Sequence, residues 1–211
     1  MLGRFHELSV PTEDIRGSIA FYEQLGFVQA HTGDAWPHPY AVVTDGRIAL
    51  GLHQSPHWQA SLTYVHERIA RRAEQLEASG LQLEFAHITD DRFNELGLLA
   101  PSGQLIRLVE ARTYSPGGMP AEASRCGSFA HLSLPVVDAH AAREFWESLG
   151  FVALEPCAHP YPHLPLTSDH LNIAFHEPRI ARAPMLVFED SAASARLEAP
   201  EGTLLLLAEN E

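Results

Sequence analysis

Cysteines, basic residues and long apolar runs are all scarce in this sequence. Only two cysteines, Cys126 and Cys157, occur among 211 residues, too few for a disulfide framework and in keeping with a reducing compartment. The longest apolar run, residues 204–208, is far shorter than the roughly 20 residues that cross a bilayer. The first residues also lack the features of a signal peptide. We therefore predict a cytoplasmic protein with no membrane partner.

The charge balance excludes another class of partner. Lys and Arg total 14 against 27 Asp and Glu, and the formal net charge is −13. Such a field repels a phosphate backbone, so we expect no nucleic-acid partner. Hydrophobic residues make up 45% of the chain, which is enough for a sizeable core and excludes global disorder.

What the sequence does contain is an internal duplication. Residues 5–11 match 129–135, and residues 21–28 repeat with the same offset of 124 residues. Self-similarity at a fixed spacing indicates repeated structural units. We therefore predict that the chain is built from two related halves.

Each half divides again into modules. Strand alternation, helical spacing of apolar residues and glycine stops predict a β-α-β-β-β order. The predicted first domain covers 1–113, with modules 1–58 and 59–113, and a linker at 114–125 leads to a second domain at 126–211. The last module is short, and its helix and middle strands are predicted to be mostly missing. The predicted fold class is α+β, with four tandem βαβββ modules of which the last is truncated.

Two motifs give these modules a family resemblance. Phe-Tyr-Glu-Gln-Leu-Gly-Phe at 21–27 follows a first strand, and Pro-Ser-Gly at 101–103 precedes a last strand. With the βαβββ order, they resemble the vicinal oxygen chelate superfamily, which includes glyoxalase I, bleomycin-resistance proteins and extradiol dioxygenases. The resemblance implies modules paired into curled mixed sheets. Each sheet forms a cup for a small organic ligand and often for a divalent metal, and the implied chemistry is of lyase, isomerase or oxygenase type.

The resemblance also implies metal-ligating positions, occupied by His or Glu, in the first and last strand of every module. Carried onto this sequence, the positions fall on Glu7, Gly51, about Ala60 and Arg107 in the first domain, and on His131, Ala174, Ala183 or Pro184, and Leu206 in the second. Glu7 and His131 are the only remnants and therefore weak metal candidates, because protein metal sites use three or four ligands. We predict no intact site for Fe, Mn, Ni or Zn, and no other cofactor is indicated.

Strand alternation predicts which side chains face the cup of the first domain. Glu7 and Ser9 point into it, as do His53 and Arg107. In one hypothesis Arg107 replaces the metal cation and holds an anionic or carbonyl-bearing ligand, while Glu7 or His53 acts as acid or base. The alternative is a purely structural Glu7–Arg107 ion pair. Both hypotheses predict that these two side chains lie within ion-pair distance.

Aromatic residues and histidines of the first domain are candidates for the cup mouth. The predicted ligand contacts there are Trp36, His38, Tyr40 and Trp58, together with Ser9 inside the cup. In the second domain we expect His131 to be a partly buried, hydrogen-bonded histidine, because the partner module is truncated.

Two module pairings and three functions are open at this point. Module one pairs with two and three with four, or one with four and two with three, which would bring Arg107 to His131. The protein is a glyoxalase- or dioxygenase-like enzyme, a non-catalytic binding protein of the bleomycin-resistance type, or a relative whose cups are filled. We expect a small-molecule partner and a monomer or homodimer.

Overall fold

The computed structural model of the chain describes residues 2–32, 36–89, 94–111 and 124–209. Most of the predicted linker, residues 114–123, lies outside these described residues. Within the described ranges, no helix combines the length and the apolar character needed to span a membrane.

The first two repeats follow the predicted β-α-β-β-β order. The first contains β1 (Arg4–Pro11), α1 (Ile15–Gln24), β2 (Val28–Ala30), β3 (Tyr40–Thr44) and β4 (Ala49–His53). The second contains β5 (Ser61–His66), α2 (Ile69–Ala78), β6 (Leu83–His87), β7 (Glu95–Leu99) and β8 (Leu105–Glu110).

The last two repeats differ in completeness, as predicted. The third contains β9 (Ser128–Pro135), α3 (Ala139–Ser148), β10 (Val152–Ala153), β11 (Leu164–Thr167) and β12 (Ile173–His176). The fourth contains, among the described residues, only β13 (Met185–Glu189), β14 (Ala195–Glu198) and β15 (Leu204–Leu207). It therefore has no helix, but it keeps one of the two middle strands.

The repeats pair into two mixed sheets. One has eight strands in the order β2-β3-β4-β1-β5-β8-β7-β6, and the other has seven in the order β10-β11-β12-β9-β13-β15-β14. The first strands of neighbouring repeats, β1 with β5 and β9 with β13, run antiparallel at each centre. Repeat one thus pairs with two and three with four, and the alternative pairing is wrong.

Alternation along the strands sends apolar side chains to the face that carries the helices. Leu8 and Leu50 are buried in a large core, together with the helix residues Tyr22 and Leu76. Burial of such side chains is worth about 1.5–3 kcal/mol each. The opposite face of the eight-stranded sheet carries the buried polar residues of β1, β4, β5 and β8.

Contacts from the first repeat reach the fourth repeat, which has no helix of its own among the described residues. The Tyr22 hydroxyl of α1 donates to Glu201 Oε1 at 2.6 Å, and the Ser18 hydroxyl donates to its Oε2 at 2.8 Å. The rings of Phe27 and Phe188 meet edge to face at 6.2 Å. Glu201 lies in the β14–β15 turn, so these bonds join the two sheets.

Removing one hydroxyl tests this junction. Tyr22→Phe is expected to lower the free energy of unfolding by about 2 kcal/mol, because a buried hydrogen bond to a carboxylate is lost. Urea denaturation measures the change. The matched control is Tyr64→Phe, since the Tyr64 hydroxyl is equally buried but has no hydrogen-bond partner among the described residues. That control is expected to be neutral or stabilising, and equal losses in both variants would contradict the assignment.

Candidate functional site

The predicted inward side chains lie together on one face of the eight-stranded sheet. Glu7, Ser9 and His53 are 0–1% exposed, and Arg107 is 8% exposed. Their strand neighbours belong to the hydrophobic core on the opposite face. We call the face that carries Glu7, Ser9, His53 and Arg107 the first cup.

The strand register corrects one predicted position. Ser9 and Thr63 are equivalent, because each lies opposite the last-strand position of its own repeat. Glu7 precedes Ser9 by two residues, so its counterpart in the second repeat is Ser61, two residues before Thr63. The predicted position, about Ala60, was one residue early because the start of β5 could be placed only approximately from sequence.

Glu7 is a buried carboxylate surrounded by polar groups. The hydroxyl of Ser9 donates to Oε1 at 2.7 Å, and that of Tyr40 donates to Oε2 at 2.5 Å. His53 Nε2 lies 3.3 Å from Oε1, and His6 Nε2 lies 3.8 Å from Oε2. Burial raises the pKa of Glu7, but these neighbours, His53 foremost, lower the pKa by more. Glu7 is therefore ionised at neutral pH.

Gly51 provides the space for this carboxylate. A Cβ atom at Gly51 would lie 2.1 Å from Glu7 Oε1 and 2.2 Å from its Cδ. The Glu7 carboxylate thus occupies the space that the side chain of a metal ligand at position 51 would need.

His53 connects Glu7 to the mouth of the cup. Its Nδ1 lies 2.9 Å from Nε2 of His38, which is half-buried. The indole of Trp58 stacks on the His53 imidazole at 3.9 Å and an interplanar angle of 12°. Burial lowers the pKa of His53 despite the opposing effect of Glu7, so the imidazole is neutral at pH 7.

The predicted mouth residues do cluster around this histidine. Trp36 lies edge-on to Trp58 with ring centroids 4.7 Å apart, and Tyr40 lies 4.6 Å from the His53 ring. The His38 ring lies 5.2 Å from that of Trp58. The structure therefore brings these aromatic side chains together over the buried carboxylate.

Arg107 faces the first cup, but its carboxylate partner is Glu95. Its Nη1 forms a short ion pair with Glu95 Oε2, and its guanidinium carbon lies 4.4 Å from the Trp58 ring centroid and 5.0 Å from that of Phe85. The guanidinium thus makes cation–π contacts with two aromatic rings. Its Nε is buried and has no hydrogen-bond partner among the described residues, and the same is true of Trp58 Nε1.

The predicted Glu7–Arg107 ion pair is wrong. The hydrogen bonds of Glu7 come from Ser9, Tyr40 and His53, whereas Arg107 extends toward Glu95 on β7. Glu95 was missed as a site residue, although a signal existed. Leu96 and Leu98 are core residues, so alternation along β7 sends Glu95 to the side of Arg107.

The second cup is the inner face of the seven-stranded sheet, defined by His131, Ser133 and His176. His131 is 6% exposed, and its Nε2 is 2.9 Å from the Tyr161 hydroxyl. As predicted, it is a satisfied, buried histidine. Burial lowers its pKa to about 3, helped by His163 and His176.

Side chains fill the second cup. The Tyr161 ring packs in a buried apolar cluster with Ala181, Met185 and Val187. His176 Nδ1 lies 2.6 Å from the Ser133 hydroxyl oxygen. The other ring nitrogen, Nε2, donates a hydrogen bond to the Ala181 carbonyl oxygen at 3.0 Å. Tyr161 is only 7% exposed and is part of this filling.

The same register argument fixes the metal-ligating positions of the second cup. Val187 lies opposite Leu206 as Ser133 lies opposite Ala174, so the counterpart of His131 is Met185. The predicted position, Ala183 or Pro184, was therefore one or two residues early.

The donor sets do not fit the metal site that the resemblance implies. In the first cup the four positions are Glu7, Gly51, Ser61 and Arg107, which provide one carboxylate, one hydroxyl and a cation. The corresponding four positions of the second cup are His131, Ala174, Met185 and Leu206, and of these only His131 has a ligating side chain of the expected kind. Across residues 2–32, 36–89, 94–111 and 124–209, no group of three or more His, Cys, Asp or Glu is placed to hold a metal ion.

Comparisons with known proteins agree with the architecture. No family model and no curated protein matches the sequence. Among solved structures, a catechol 2,3-dioxygenase superposes with a TM-score of 0.63 at 14% identity, over 99% of this chain and 88% of that one. The 2,2',3-trihydroxybiphenyl 1,2-dioxygenase of the dibenzofuran-degrading Sphingomonas wittichii strain RW1 gives 0.66 at 16%, over 100% and 91%.

A third match is a Mn(II)-bound glyoxalase from Novosphingobium aromaticivorans. Its TM-score is 0.59 at 12% identity, over 96% of this chain and 80% of that one. Identities this low establish the shared fold and leave the chemistry to be argued from the site. The chain thus has the paired βαβββ fold of the vicinal oxygen chelate superfamily, which confirms the resemblance found in its sequence.

Proposed function

We propose that the protein binds a small organic ligand with an oxygen acceptor, such as a carboxylate or carbonyl group, in the first cup and without the family metal. The observation that carries the proposal is the buried Nε of Arg107, which, like Nε1 of the adjacent Trp58, has no hydrogen-bond partner in the part of the chain that the structure describes. A buried donor without an acceptor costs about 1–3 kcal/mol. A ligand oxygen that accepts from these groups removes that cost.

The surroundings favour an organic ligand with an apolar body. Trp36, Trp58 and Phe85 provide flat apolar surface next to Arg107. Ligand pockets typically combine such surface with a few fixed polar groups. Because Glu95 already neutralises Arg107, the guanidinium supplies hydrogen-bond donors as much as net charge. A carbonyl and a carboxylate ligand are therefore both compatible with the site.

The metal-free part of the proposal follows from the donor set. The Glu7 carboxylate accepts hydrogen bonds from Ser9, Tyr40 and His53. Arg107 occupies a position where a metal-binding side chain would be needed. A guanidinium has no lone pair to offer a metal.

The ligand test uses one substitution in the cup. Benzoate is expected to raise the melting temperature of the wild-type protein and to quench tryptophan fluorescence. Arg107→Met keeps an unbranched side chain beside the Trp58 and Phe85 rings but removes the donors, so benzoate affinity is expected to fall about 10- to 100-fold. The matched control is Arg143→Met, which removes an exposed guanidinium from α3.

Two results would contradict the proposal. Equal benzoate affinity in wild type and Arg107→Met removes the role of the guanidinium. Retention of one equivalent of Mn²⁺, Fe²⁺, Ni²⁺ or Zn²⁺ after equilibrium dialysis contradicts the metal-free site.

Acid–base catalysis is the second candidate, and the Glu7–His53–His38 chain of contacts favours it. An ionised carboxylate linked to a neutral imidazole is an arrangement that general bases use. A non-catalytic protein of the bleomycin-resistance type would bind the ligand without needing this chain. The two candidates differ in whether the hydrogen-bonded series Glu7–His53–His38 delivers a base to the ligand.

A further inference from the structure

Burial ranks the three groups Glu7, His53 and His38 by their access from the mouth of the first cup. Glu7 is 1% exposed and His53 is 0% exposed, beneath the stacked Trp58. His38, by contrast, is half-buried at the mouth. Of the three groups in the chain, His38 is therefore the one that a ligand meets first.

The hydrogen-bond directions along the chain follow from the charge of Glu7. An ionised carboxylate only accepts hydrogen bonds, so the proton on His53 lies on Nε2 and is donated to Glu7 Oε1. A neutral His53 then has a lone pair on Nδ1. That lone pair accepts from His38 Nε2, 2.9 Å away.

This fixes the tautomer of His38. With its proton on Nε2, a neutral His38 carries its free lone pair on Nδ1. Burial, followed by the influence of His53, lowers the pKa of His38, so the ring is neutral at pH 7 and keeps only the proton on Nε2. The rings of Trp36 and Trp58, 6.2 and 5.2 Å away, limit its rotation.

We infer that His38 is the proton-accepting group of the first cup, and that Glu7 and His53 are positioning residues that present its Nδ1 lone pair to the ligand. This inference rests on the proposed ligand site. In the step it supports, an acidic X–H bond of the ligand breaks, the electron pair stays on X, and the proton goes to His38 Nδ1. The resulting imidazolium is held by the hydrogen bond through His53 to the Glu7 carboxylate.

The tautomer can be observed without any ligand. Long-range ¹H–¹⁵N spectra of the imidazoles are expected to show His38 with a protonated Nε2 and an unprotonated Nδ1. In His53→Phe, which keeps an aromatic ring under Trp58, the single tautomer of His38 is expected to be lost. His170 is exposed and lies in the third repeat, away from Glu7, His53 and His38, so its signals serve as the internal control. If His53→Phe does not fold, the isosteric Glu7→Gln variant replaces it, with the same expected loss.

Proton transfer is tested with 4-nitrophenol, whose visible absorption reports the loss of its phenolic proton. The ionised fraction of bound 4-nitrophenol at pH 6 is expected to be higher in wild type than in His38→Gln. A proton on Nδ1 in the wild-type spectrum, a tautomer unchanged in the His53 variant, or equal ionisation with and without His38 would overturn the inference.

The outcomes distinguish this inference from the proposed function. Benzoate that binds through Arg107 while His38 has no fixed tautomer leaves the ligand site intact and removes His38 as the base. A fixed His38 tautomer with no binding of benzoate or 4-nitrophenol removes the ligand site itself, and the inference falls with it.

Discussion

Acidification from pH 7 to pH 3 is expected to cost the protein up to about 4 kcal/mol of unfolding free energy through His131 alone. In the folded protein, burial holds the pKa of His131 at about 3, against 6.5 for an ordinary histidine. Each unit of such a difference corresponds to about 1.36 kcal/mol. The value is an upper bound for a rigid site, since relaxation around the charged ring reduces it.

The sign follows from proton uptake. Below pH 6.5 the unfolded chain protonates His131, whereas the folded protein does so only near pH 3. The unfolded state therefore binds more protons across this window, and stability falls as the pH falls. The causes are burial first and then the neighbouring rings of His163 and His176.

The measurement is urea denaturation between pH 3 and pH 7. Glu7 loses its stabilising effect when the pH falls through its lowered pKa, and His53 and His176, with lowered pKa values, act in the same direction as His131. The comparison with His131→Gln, which keeps a hydrogen-bonding partner for Tyr161, isolates the effect of His131. A flatter acid limb in the variant is expected, and parallel curves for the two proteins would contradict the assignment.

The fold was largely predictable because the same pattern of strands and helices is repeated along the sequence. The offset of 124 residues relates β1 to β9 and α1 to α3, and alternation of apolar residues separated the core face from the cup face. Those inferences depend on local periodicity, which the protein keeps in every complete repeat. The pairing of repeats depended on contacts between distant strands, and the ladders of β1 with β5 and of β9 with β13 decided it.

Most residues of the candidate site were predictable from the sequence, but the ion-pair partner of Arg107 was not. Alternation placed Glu7, His53 and Arg107 on one face, yet the partner of Arg107 lies on a different strand from the one expected. The bulge in β1 next to Glu7 also brings His6 within 3.8 Å of the carboxylate, although strict alternation puts these neighbours on opposite faces. Which long side chain reaches which partner depends on rotamers and stacking, and local sequence patterns do not encode these.

Gly51→Ala is expected to lower the free energy of unfolding by about 3 kcal/mol, although it adds only a methyl group. The added Cβ would lie 2.1 Å from Glu7 Oε1, so the carboxylate must leave its position. In moving, it gives up the hydrogen bonds from Ser9, Tyr40 and His53, and a buried charge that loses its partners costs about 3–5 kcal/mol. The equivalent position of the second cup is Ala174, opposite Ser133 on β9, so an alanine is compatible with this strand.

A double-mutant cycle makes the test specific. Glu7→Ala alone is expected to cost about 3–5 kcal/mol, because His53, Tyr40 and Ser9 lose their common acceptor. In the Glu7→Ala background, however, Gly51→Ala meets no carboxylate and is expected to be neutral or to stabilise by about 0.5–1 kcal/mol, as alanine does relative to glycine within a strand. The change of sign between the two backgrounds measures the contact directly. If Gly51→Ala costs the same in both backgrounds, glycine is required at position 51 by the backbone and not by the Glu7 carboxylate, which would contradict the predicted clash.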